Sequence, residues 1–192
     1  HQWSEGQPDI VVLAKGLGAG YFPLGAMLTS ANLVDELANL TGFNYAHTYN
    51  ANPLACAVGN AVLKEIVDQN LLENCNIISS YLRRKLEILQ DNSSIIGDVR
   101  GRGLLLGIEF VANKETKEQL PLDYQVTEKF KQFAFAEGLL IYGRRSNNGR
   151  YGEHVLIAPP LNITIEEIDL LMQRLTISVE KFEQRLVQLG II

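Results

Sequence analysis

Pro8-Asp9-Ile10-Val11-Val12-Leu13-Ala14-Lys15-Gly16-Leu17-Gly18-Ala19-Gly20 is the stretch that decides how this chain is read. The apolar, β-branched run from Asp9 to Ala14 is bounded by Pro8 and by the glycines after Lys15, the pattern of a strand buried on both faces. Buried parallel strands imply an α/β layer, and Lys15 leaves such a strand at its carboxyl end, the edge where open α/β sheets place ligands. Desolvation there disfavours the ammonium form, and a neutral amine can form a Schiff base with an aldehyde or ketone. On local physics alone the alternative is a strand-exit lysine that simply reaches solvent. Gly16, Gly18 and Gly20 let the backbone turn sharply and approach a flat ligand. Two phosphate motifs fail on the same residues. A P-loop needs its lysine after the glycines and before Ser or Thr, and the dinucleotide fingerprint needs Gly or Ala where Tyr21 stands.

Outward from this stretch, a second strand is expected over Leu24 to Thr29, and Ser30 then caps a helix carrying Leu33, Val34, Leu37 and Leu40. Asn52-Pro53 opens another helix, because proline suits the first helical position, with an expected inner face of Leu54, Ala57, Val58, Ala61, Val62 and Ile66. The polar loop His47-Thr48-Tyr49-Asn50-Ala51 runs into that helix start. Free N–H groups and the helix dipole there favour an anion, and the Thr48 hydroxyl adds a donor, while plain helix capping is the alternative. A long amphipathic helix follows, with Leu71, Cys75, Ile78, Leu82, Leu86 and Leu89 on one face, ending in the turn Asp91-Asn92-Ser93-Ser94.

Beyond it the rhythm shortens to strands at Gly103 to Val111, Leu139 to Tyr142 and His154 to Ala158, with a helix near Tyr124 to Glu137 closed by Gly138. Thr164-Ile165-Glu166-Glu167 is a capping-box pattern opening a last helix whose inner face is Ile168, Leu171, Leu175, Val179, Phe182 and Leu186. The chain thus divides near residue 70 into an α/β part and a compact α+β part.

Composition excludes several classes. With 46% hydrophobic and 20% charged residues and six prolines in 192 residues, the chain is globular rather than disordered. Seventeen Lys plus Arg against 22 Asp plus Glu give a net charge of −5, which argues against nucleic acid as a partner. No apolar run approaches the length of a spanning helix, so no membrane partner is expected. The opening His1-Gln2-Trp3-Ser4-Glu5-Gly6-Gln7 lacks an initiator Met and every feature of a signal peptide, so the expectation is a chain that has lost its beginning. Cys56 and Cys75 make neither a disulfide framework nor a metal pair. They read as small core residues rather than nucleophiles, in a reducing, cytoplasmic setting and with no metal site.

Taken together, these stretches resemble the class III pyridoxal-phosphate aminotransferases, the family of the ω-amino acid, acetylornithine and amine:pyruvate transaminases. Pro8 to Gly20 with Pro23-Leu24-Gly25-Ala26 is similar to the second half of that family's signature. His47-Thr48-Tyr49 with Asn52-Pro53-Leu54-Ala55-Cys56-Ala57 is similar to its phosphate loop. Arg100-Gly101-Arg102-Gly103-Leu104, Gly152 to Leu161 and the Thr164-capped helix are similar to its C-terminal small domain, in the same order. The fold class implied is α/β, with residues 1–70 as the C-terminal part of the fold type I large domain that binds pyridoxal 5'-phosphate and 71–192 as an α+β small domain.

The resemblance implies that Lys15 holds the cofactor as an internal aldimine and shuttles the proton from substrate Cα to cofactor C4′. It also implies that Thr48 reaches the cofactor phosphate of the neighbouring subunit, hence a homodimer with the site at the interface. An amino acid or amine donor and a keto-acid acceptor are the implied substrates, with Arg150 the nearest candidate for a carboxylate clamp. Arg144 and Arg145 compete with it, Arg102 and His154 read as a structural turn and strand residue, and His47 stays ambiguous beside Thr48. The family's phosphate-cup Gly-Ser pair, stacking aromatic and ring-nitrogen acid are expected before His1, and Asp9, at the start of the lysine strand, is not that acid. The expectation is a C-terminal part that is inactive alone, or active only with its missing half. Decarboxylase, aminomutase or racemase chemistry on the same fold, and a purely structural module that binds no cofactor, are the alternatives.

Overall fold

The computed structural model describes residues 6–42, 44 and 46–192. The reading of His1 to Gln7 as no signal peptide therefore falls mostly outside the described residues. Two compact units separate at Asn70 and Leu71.

In the first unit, β1 (Ile10–Leu13) pairs antiparallel with β2 (Ala26–Thr29), Ile10 opposite Thr29 and Leu13 opposite Ala26. This corrects the expectation of a parallel strand buried on both faces, since Val12 is 75% exposed and Ile10 54%. An apolar run reports what a strand needs for cover, and these residues supply a single neighbouring strand. Helix α1 (Ala31–Thr41) starts where expected, with Leu33 N–H donating to Ser30 Oγ at 3.3 Å, yet none of its residues is buried. Helix α2 (Pro53–Asp68) is capped by Asn52, whose Oδ1 accepts from Ala55 N–H at 3.0 Å. Its buried positions are Ala55 and Gly59, with Val58, Val62 and Ile66 half-buried, while Leu54 and Ala57 are exposed. The inner face is thus rotated from the expected one, toward small residues. Cys56 is exposed and Cys75 half-buried, so the expectation of two core thiols fails for Cys56.

The second unit holds nearly all of the core: among the described residues Ala55 alone, of the buried apolar side chains, lies before residue 71. Helix α3 (Leu71–Asn92) buries Ile78, Leu82, Leu86 and Leu89. Strands β3 (Ile96–Arg102), β4 (Leu105–Phe110), β5 (Tyr142–Arg145) and β6 (Glu153–Ile157) form one antiparallel sheet in the order β3-β4-β6-β5. Helices α4 (Val126–Ala136) and α5 (Ile165–Gln188) complete the unit.

Strand β3 was not expected from sequence; Glu183 of α5 secures its entry by accepting hydrogen bonds from Ser93 Oγ at 2.6 Å and Ser94 N–H at 2.7 Å. Strand β5 starts three residues later than expected, because Leu139 N–H closes α4 by donating to Ala134 O at 2.9 Å. Helix α5 opens with the expected capping box, Glu167 N–H donating to Thr164 Oγ1 and Thr164 N–H to Glu167 Oε2. At the centre of the core, Phe182 meets Phe130 and Phe133 edge-on, with ring centroids 5.5 and 5.3 Å away.

Candidate active site

The chain leaves β1 through Ala14, which is extended at φ −159°, and enters a 3-10 turn over Lys15–Gly18. Lys15 itself sits in the left-handed region at φ 55°, as does Ala19 at φ 46°. Each such residue other than glycine costs about 1–2 kcal/mol, a strain that clusters at functional positions. The turn is closed by Leu17 N–H to Ala14 O and Ala19 N–H to Gly16 O, at 3.3 and 3.1 Å. It packs against α2. Beside this contact, a Cβ on Gly59 would stand 2.6 Å from Leu24 Cδ2, so a larger residue there would make the Leu24 side chain shift.

Lys15 is exposed, which corrects the expectation that burial in this chain desolvates its amine. The β1–β2 ribbon is the cover these residues supply, and it leaves the end of β1 open. Open space also surrounds Gly16, where a Cβ would meet nothing within 4 Å. Neither packing nor φ therefore demands glycine beside the lysine.

Thr48 lies in the turn before α2, in which Asn50 N–H donates to His47 O and Asn52 N–H to Tyr49 O, at 2.9 and 3.2 Å. The Thr48 and Tyr49 side chains are exposed. Asn52 already occupies the Ala55 N–H, so the sequence's alternatives of helix capping and anion binding meet at one helix start. An open amine at a strand exit and a hydroxyl on a turn entering a helix fit, as donor chemistry, an aldehyde that carries a phosphate. Lys15 and Thr48 share one unit, through the packing of the lysine turn on α2.

Arg150 belongs to the other unit, in the β5–β6 connection, and is exposed. Arg145 is removed from the competition for a substrate carboxylate: its Nε is bonded to buried Glu153 Oε1 at 3.0 Å. Arg144 lies over the Tyr142 ring, 5.7 Å from its centroid. Sequence reading missed the role of Glu153 entirely. It also missed a charged row across the sheet, Asp98, Glu109, His154 and Arg144 in register, with Arg100 bonded to Asp98 and Glu109. Their period-2 alternation with buried Val99, Ile108 and Val155 was the available signal.

Burial, and then the Arg100 charge, lower the His154 pKa below its ordinary 6.5, and Glu109 opposes them. Because the folded pKa is the depressed one, this histidine's contribution to stability is full above pH 6.5 and is lost as pH falls through the folded value. An NMR titration is expected to give a His154 midpoint below 6.5, and His154→Gln to flatten the acid limb of the stability curve; a midpoint above 6.5 would contradict the assignment. Among the described residues no three His, Cys, Asp or Glu side chains converge as metal ligands, and no helix is long and apolar enough to cross a membrane.

A family model described as aminotransferase class-III matches residues 1–179. The human mitochondrial alanine–glyoxylate aminotransferase 2 is 40% identical over 184 residues, covering 94% of this chain and 32% of that protein. A crystal structure of a thermostable (S)-enantioselective omega-transaminase from Thermomicrobium roseum superposes with a TM-score of 0.84 at 31% identity, over 94% of this chain and 39% of that one. An amine transaminase from an uncultivated Pseudomonas species, solved in its PLP-bound internal aldimine form, gives a TM-score of 0.80 at 30% identity, over 91% and 38%. The chain spans about two fifths or less of the length of the curated relatives it matches first, 41% and 32% of two of them.

Proposed function

The chain belongs to the class III aminotransferase family, and from that premise we propose that it carries the lysine and part of the phosphate site of a pyridoxal 5'-phosphate-dependent transaminase. The observation that carries the reading is the lysine turn: Lys15 held at φ 55° at the exit of β1, with open space at Gly16 beside it. The whole protein moves an amino group from an amino acid or amine to a keto acid. In this reading residues 1–70 are the C-terminal part of the large domain and 71–192 the small domain.

When bound, the cofactor supplies an aldehyde that takes up amines and a ring that accepts the electron pair of a lost proton. Lys15 Nζ would hold that aldehyde, and when free it would accept the proton from the substrate α-carbon. In the second half-reaction the same Nζ returns a proton. This needs the neutral amine, so water must be excluded by the bound ligand and by the rest of the whole protein. Thr48 Oγ1 would hold the phosphate of the neighbouring subunit's cofactor, an arrangement that calls for a homodimer with its site at the interface. Arg150 clamps the substrate carboxylate through its guanidinium fork. The few cysteines suit a reducing, cytoplasmic compartment.

Borohydride reduction of the protein with pyridoxal 5'-phosphate is expected to leave the reduced adduct on Lys15, located by peptide mass. Uniform, low labelling of many lysines would overturn the assignment.

A further inference from the structure

We infer that Arg145 and Glu153 act as a positioning pair that fixes the connection between β5 and β6, so that Arg150 meets its ligand from a preset place. The inference deepens, and for its ligand rests on, the reading of Arg150 as a carboxylate clamp. Arg145 ends β5, Glu153 begins β6, and the two are the last register pair of the ladder. Glu153 is 5% exposed, and one carboxylate oxygen accepts from Arg145 Nε at 3.0 Å. Its other oxygen accepts from Thr127 N–H at the start of α4, where Gln125 provides no side-chain cap. Arg145 Nη2 donates to Leu122 O, and Thr127 Oγ1 donates to Arg144 O at 3.1 Å. The base of the connection is therefore tied at once to two strands and to the entry of a helix.

The loop above this base is built to hold one shape. Ser146 N–H donates to Gly152 O, Tyr151 N–H to Ser146 O and Arg150 N–H to Asn147 O, at 3.2, 3.1 and 3.2 Å. Gln119 Nε2 donates to Arg150 O at 3.2 Å from outside. Asn147, Asn148 and Gly149 all take positive φ. A Cβ on Gly149 would stand 3.0 Å from Glu153 Oε1 and 3.2 Å from Arg145 Nη2, so the loop rests directly on the pair.

The loop then presents Asn147, Asn148, Arg150 and Tyr151 outward, and of these Arg150 alone carries a charge. A buried ion pair is a costly way to hold a hairpin together, since apolar residues of the same size do as well. Its directional bonds give orientation instead, and a preset guanidinium loses less freedom on binding a carboxylate.

The test compares the whole protein with its Glu153→Gln, Gly149→Ala and Arg150→Ala variants. Amide hydrogen exchange of Tyr151 and Gly152 is expected to be slow in the parent and faster in Glu153→Gln, with the α5 amides unchanged. Unprotected loop amides in the parent, or no acceleration in the variant, would overturn the inference whatever the reaction proves to be. The kinetic arm uses L-alanine and 1-phenylethylamine as donors, with saturating glyoxylate as the acceptor, so that the pyruvate formed from L-alanine differs from the keto acid supplied. Glu153→Gln is expected to raise KM for L-alanine about tenfold with kcat little changed, to leave KM for the amine alone, and to add nothing to Arg150→Ala.

If Arg150→Ala affects both donors alike, or neither donor reacts, the reading of the site fails while the exchange result still decides the inference. If Arg150→Ala discriminates but Glu153→Gln does not, or the two effects add in full, the positioning pair is refuted. Should Glu153→Gln fail to fold, Gly149→Ala, which strains the same seat with the pair intact, is read by the same two measures.

Discussion

Lys15→Ala in the whole protein is expected to lower transamination by at least about 10³-fold, because one amine serves both as covalent anchor and as proton carrier. Lys15→Arg is expected to be as inactive, although it keeps the charge and most of the length. A guanidinium stays protonated and can neither form the Schiff base nor accept a proton. The pair of variants thus separates chemistry from electrostatics. Turnover of Lys15→Ala within about tenfold of the parent would end the transaminase reading of this residue, whatever the family. Both variants are expected to fold normally, since the Lys15 side chain is exposed among the described residues.

The second large effect is on stability. Phe182→Ala is expected to cost about 3–5 kcal/mol in urea unfolding, the range for removing a fully buried aromatic. Phe182 has no exposed surface and is ringed by Phe110, Phe130, Phe133 and Tyr124. Those neighbours come from β4, α4 and the connection before α4, so their collapse into the gap is resisted from several elements. A loss below about 1 kcal/mol would mean that the aromatic cluster repacks freely, against the close packing of interiors.

Helix α5 was legible in the sequence almost to the residue, because capping box and 3.6-residue periodicity point the same way. Strand β3 was not: Ile96-Gly97-Asp98-Val99-Arg100-Gly101-Arg102 has weak strand propensity, and its partner β4 and the distant Glu183 make it a strand. The position of Lys15 at a strand exit followed from pattern, but its exposure did not. Apolar periodicity says which residues want cover, not whether these residues contain the covering layer. Glu153 was invisible for a different reason: a lone acid before a strand looks solvated, and its partners Arg145 and Thr127 are only brought to it by the fold. Arg145 in turn looked like a free candidate for the substrate until that pairing was seen.

The lopsided interior has a practical corollary for anyone altering this polypeptide. Changes at the packed positions between Ile78 and Leu186 should first show as poor yield of intact material, before any question of rate arises. At Lys15 and Thr48, whose side chains are exposed, changes should mostly spare the amount recovered and show in the assay instead. Material yield and reaction rate therefore report on different changes, and each can be screened separately.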